Sequence, residues 1–229
     1  LIMTLGDRIF NPENKFFTFM GKVADLMALN LIFLITSLPV ITLGASLTAL
    51  SSVTLSMAKK RETYIFKMYW KIWKANLKRS TLLFLIAAAL GAFLLTDLWV
   101  TGGPLAEGFP FAKYLRYLFL VLSFLWLCAF LYLFPLQATF ENSPGATLKN
   151  ALLTAISRFP YTLAIILILA TPFVLVWYLP LALPYAAFFF LLMGFAVISR
   201  VHAFFLLKAF RPFLPEEPEE DADCEQLCK

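Results

Sequence analysis

Charge is scarce in this chain, and so are the side chains that carry out chemistry. Of its 229 residues only 14% are charged, where an ordinary soluble domain has about 25%. There is a single histidine and there are three cysteines. No acidic pair stands at useful spacing, no Ser-His-Asp or Cys-His arrangement is present, and no glycine-rich phosphate loop or ATP motif appears, so nucleophilic and acid–base catalysis lack their groups. An enzyme is not expected. Cys128 lies in an apolar run and reads as a small packed side chain. Cys224 and Cys228 form a Cys-x-x-x-Cys pair without further ligands, and His202 is remote in sequence, so neither a metal nor another cofactor is expected. Residues 1–22 lack the continuous apolar core and cleavage site of a signal peptide, which leaves the first crossing as the expected insertion signal.

What the chain has instead is apolar length. Hydrophobic residues make up 61% and aromatics 17%, more than a water-soluble fold can hide. The stretches 81–100, 117–140, 161–179 and 185–207 each approach or exceed the roughly twenty apolar residues needed to cross a hydrocarbon core. Residues 23–58 are too many for one upright helix and few for two complete ones. Pro39 and Gly44 interrupt them, so a helical hairpin with its turn at 38–44 is expected, giving six crossings; a single kinked helix would give five. The chain thus reads as an all-α polytopic membrane bundle over residues 1–211. Residues 212–229 form an acidic, proline-rich tail whose composition reads as disordered.

Charge is unevenly placed. Residues 59–79, KKRETYIFKMYWKIWKANLKR, hold eight basic residues and one acidic residue. Lys67, Lys71, Lys74 and Lys78 recur on one helical face, while Phe66, Trp70, Trp73 and Leu77 recur on another. This reads as an amphipathic helix on the membrane surface, anchored by anionic lipid or docked to a partner. A second such helix is expected at 141–158, started by Ser143 and Pro144, with Leu148, Ala151, Leu152, Ala155 and Phe159 on one face and Lys149 and Arg158 elsewhere. Short loops rich in Lys and Arg stay in the cytoplasm. Both helices and the C-terminus are therefore expected on the cytoplasmic side of the membrane. The positive charge belongs to that face and implies no nucleic-acid partner.

Within the spans, Gly44, Thr48, Ser52 and Ser56 recur every four residues and suit close helix packing. Together with Asn30 and Gln137 they are also the candidates for a polar path. Asp97 and Arg200 are the charged residues inside the later spans. Counting depth along their helices places them too far apart to pair, with Asp97 reaching the outer interface and Arg200 and His202 reaching inward.

The run from Lys22, Asp25, Leu26 and Asn30 into LPVITLGASLTAL at 38–50, then TYIFKMYWKIWKANLK at 63–78 and FENSPGATLKNAL at 140–152, resembles the YesL family of bacterial membrane proteins of unknown function. The resemblance covers residues 10–210. Members are often encoded near carbohydrate ABC importers and sensor kinases. It therefore implies an accessory or regulatory subunit of such an importer, docked through the two cytoplasmic helices. A stand-alone channel or carrier and a purely structural bundle are the competing classes.

Overall fold

The computed structural model describes residues 15–59, 64–103, 111–140, 143–179, 181 and 183–210. The expected tail at 212–229 lies outside them. Every regular element among them is helical: α1 (Lys15–Ser37), a 3-10 turn (Val40–Thr42), α2 (Leu43–Ala58), α3 (Ile65–Gly102), α4 (Ala112–Thr139), α5 (Pro144–Ser157), α6 (Phe159–Tyr178), α7 (Leu183–Phe189), a π-helical segment (Phe190–Gly194) and α8 (Phe195–Phe210). Six stretches are long and apolar enough to cross a membrane: Phe19–Ser37, Val40–Ala58, Ile65–Gly102, Ala112–Thr139, Phe159–Tyr178 and Leu183–Lys208. The molecule is an all-α polytopic helical bundle.

The stretch 23–58 is a hairpin. α1 stops before Pro39, which has no N–H to continue the ladder. The Thr42 hydroxyl then closes the turn, donating to the carbonyls of Thr36 at 2.7 Å and Pro39 at 2.8 Å. Gly44 lies already inside α2 rather than in the turn.

The lysine-rich stretch differs from its expected form. It is not a separate surface helix but the first half of α3, one continuous helix of 38 residues and about 57 Å at 1.5 Å per residue. Proline is absent from it and Gly91 is its one internal glycine, so nothing stops the helix where charge gives way to apolar sequence. α2 runs along this charged half. At Gly44 the absent side chain admits the Ser80 carbonyl, and a Cβ there would stand 2.7 Å from that of Phe84. One turn on, the Thr48 hydroxyl donates to Ser80 Oγ at 2.9 Å.

The apolar half of α3 packs on α4, where Trp126 lies over Gly91 and donates its indole N–H to the Ala87 carbonyl at 3.1 Å. α5 starts as expected, with Ser143 Oγ accepting from Ala146 N and Pro144 in the first turn. Its buried stripe, however, is Thr147, Ala151 and Ala155, while Leu152 and Phe159 are exposed. Thr147 reaches back to Gln137 at 3.1 Å, which folds α5 onto α4. Small residues allow that approach where a leucine would hold the helices apart.

Candidate functional site

The outward side of α3's first half carries Lys67, Lys71, Lys74, Lys78 and Arg79, all exposed. They form a ridge about 16 Å long between Lys67 and Lys78, taking 1.5 Å per residue. Like charges at four-residue spacing repel one another. Carboxylates that could relieve them are few, since among the described residues only Asp25 and Asp97 are acidic. Asp25 shares a cavity of about 500 Å3 with Tyr64, Phe66 and Lys67 at the start of the ridge.

The ridge rests on a hydrogen-bonded seam joining α1, α2 and α3. Tyr69 is wholly buried, and its hydroxyl lies 2.6 Å from Thr36 Oγ1 of α1. Ser46 of α2 donates to the same Thr36 oxygen at 3.1 Å. Trp73 donates its indole N–H to Ser46 at 3.2 Å, and Trp70 packs edge-on against Trp73 with centroids 5.4 Å apart. The four aromatic and aliphatic residues read as one apolar face therefore divide. Trp73 turns inward, Phe66 and Trp70 are exposed, and the buried stripe is Ile65, Tyr69, Ser80 and Leu83. Thr36, Ser46 and Tyr69 escaped the sequence reading, because a lone hydroxyl in an apolar run gives no sign of its partner.

Lys149 is exposed on α5, whereas Arg158 is half-buried at the joint between α5 and α6. There the Arg158 carbonyl accepts from the backbone of Tyr161 and Thr162. Both residues belong to the α4–α5 side of the molecule, apart from the hydrogen-bonded seam.

The residues considered for a polar path point to different neighbours. Gly44 and Thr48 meet α3. Ser52 and Ser56 are half-buried on α2. Gln137 accepts from Thr147. Asn30, wholly buried, spans the π-helical segment: its Nδ2 donates to the carbonyls of Phe190 at 3.0 Å and Leu191 at 2.9 Å, and its Oδ1 accepts from Ala196 N at 3.1 Å. A π turn leaves backbone groups outside the regular ladder, and one carboxamide has the two donors and the acceptor to satisfy three of them. These side chains thus staple separate helix pairs.

Arg200 behaves differently from expectation. It donates from Nη1 to the Thr54 carbonyl at 3.0 Å, beside a 2.9 Å hydroxyl pair between Thr54 and Ser199. It joins α8 to α2 rather than only reaching for an interface. Asp97 Oδ2 is buried and has no hydrogen-bond partner among the described residues. His202 stands edge-on to Tyr132 with centroids 6.2 Å apart.

Comparison with known proteins reaches the same helices. Residues 26–98, from within α1 almost to the end of α3, match the model of a family described as "Protein of unknown function, DUF624". A curated relative, "Uncharacterized protein YteU" from Bacillus subtilis (strain 168), is 26% identical over 121 residues, which make up 53% of this chain and 53% of the relative. The chain thus spans about half the length of the curated relative it matches. No solved structure matches. In the hairpin and the long helix that carries the basic ridge, this chain is similar to DUF624 proteins.

Proposed function

We propose that this protein is an accessory subunit of a bacterial cytoplasmic membrane complex, and that it docks a partner through the α3 ridge. The supporting observation is a run of exposed cations on a helix whose inner side is stitched to two others, so that the charges are held in fixed register. A preorganised charged face gives specificity and fast encounter with an anionic surface. Orientation follows from the positive-inside rule. The ridge then faces the cytoplasm, as does the C-terminal end of α8, because four crossings separate Ile65 from Lys208. Anionic lipid at the same surface adds about 1 kcal/mol per lysine.

The YesL resemblance supplies the partner class, a carbohydrate ABC importer or its sensor kinase, and the second docking element would be α5 with Lys149. Replacing Lys67, Lys71, Lys74 and Lys78 together by glutamine should abolish co-purification of importer subunits from native membranes while leaving insertion unchanged. Retained co-purification would remove the docking role and leave a structural bundle. A stand-alone carrier or channel is less well supported, because Asn30, the Thr48 hydroxyl and the Gln137 side-chain oxygen each bond to a neighbouring helix. Solute flux by the purified protein alone in proteoliposomes would count for it.

A further inference from the structure

The cations of the ridge have an obvious counterpart in the same chain. Residues 216–225 hold seven carboxylates and no basic residue, half of the chain's fourteen acidic groups. Four stretches long and apolar enough to cross a membrane lie between Ile65 and Lys208, so in the orientation proposed above the chain leaves α8 on the side where the ridge begins.

Reach is sufficient as well. α8 touches α2 through Ser199 and Thr54, and α2 touches α3 through Thr48 and Ser80. Two interhelical steps of about 8–10 Å each separate α8 from α3. Residue 216 follows Phe210 by six positions and residue 225 by fifteen; at about 3.3 Å per residue they can lie roughly 20 and 50 Å from it. Ten extended residues cover about 30 Å, more than the length of the ridge. Attachment to the same molecule raises the local concentration of the acidic stretch to the millimolar range. Many weak ion pairs are then enough to keep it in place, and salt removes them.

We propose that residues 216–225 fold back onto the ridge of Lys67, Lys71, Lys74 and Lys78 as an intramolecular pseudo-ligand, which an acidic partner surface must displace before it can dock. This rests on the docking role proposed above for the same ridge and adds its regulation. Removing the segment would make the ridge constitutively available.

The test uses the whole chain in phosphatidylcholine nanodiscs, with no partner present. A zero-length carbodiimide should form amide links between carboxylates of 216–225 and the four ridge lysines. A mixture of isotope-labelled and unlabelled protein should show those links within single chains. Acetylation of the ridge lysines by an N-hydroxysuccinimide ester should be roughly threefold or more faster in a chain ending at Arg211. The same gain is expected in a full-length variant with all seven carboxylates converted to amides, and 0.5 M salt should erase the difference. Equal rates in the intact and altered chains, or links only between chains, would overturn the proposal. So would equal shielding of intact and truncated chains in nanodiscs containing phosphatidylglycerol, because lipid would then be the occupant. Co-purification of importer subunits is a separate readout, so failure of the docking role and failure of its regulation are distinguishable.

Discussion

In the α2 span 44% of residues are buried within the molecule, against 11% in the α6 span, although both are apolar enough to cross a membrane. The difference lies in side-chain size and hydroxyl content. α2 reads LGASLTALSSVTLSMA, whereas α6 reads FPYTLAIILILATPFVLVWY. Lipid tails are as apolar as leucine, so a large aliphatic residue gains little by turning inward. A small or hydroxylated residue gains close backbone contact and a hydrogen bond. α2 accordingly meets α1, α3, α4 and α8. The corner between α6 and α7 instead leaves open grooves of about 590 and 600 Å3, lined by residues such as Ile168, Pro172, Leu175 and Phe189 on one side and Phe173, Val176 and Trp177 on the other.

The sharpest way to break this contrast is Gly44→Leu. Its side chain would have to displace the Ser80 carbonyl and Phe84, and overpacking of this kind costs about 3 kcal/mol or prevents folding. Thermal unfolding in detergent should show the loss, and a variant with unchanged stability would mean that α2 and α3 are not in contact. Asn30→Leu comes next. It removes two hydrogen bonds to the π-helical segment and one to Ala196 of α8, and at about 0.6 kcal/mol each in a membrane setting the loss is about 2 kcal/mol. Titration with a denaturing detergent should detect it, together with faster hydrogen exchange at Ala196.

Tyr69→Phe keeps the ring and removes one bond to Thr36, so it should cost about 1 kcal/mol or less. A larger drop would show that the seam beneath the ridge acts cooperatively. In the loose corner, Ala187→Leu should change stability by less than about 0.5 kcal/mol in the same assays, since the added side chain enters an open groove. If it destabilises as much as Gly44→Leu, the two regions are not packed differently after all.

Much of the architecture was legible because crossing length and interruption are local properties. Pro39 marked the hairpin, and Ser143 with Pro144 marked the start of α5. Three features were not. The periodicity of Phe66, Trp70, Trp73 and Leu77 was read as one apolar face, but in a bilayer an apolar face does not say whether it meets lipid or protein, and the buried stripe ran through Tyr69 and Ser80. α3 was divided at the change from charged to apolar sequence, yet composition does not end a helix without a breaking residue. The π-helical segment left no local sign, since the carboxamide that satisfies it sits at Asn30, 160 positions earlier in the chain. Of the candidate site, the lysines could be read directly. The seam that fixes their register could not, because its bonds join different helices, at separations of 10 to 33 positions.

The unbroken length of α3 has a mechanical meaning. A rod without a joint cannot absorb a sideways pull by bending in the middle, so force applied at Lys74 arrives at Trp99 as a tilt. Whatever grips one end of this helix also steers the other, across the full thickness of the membrane.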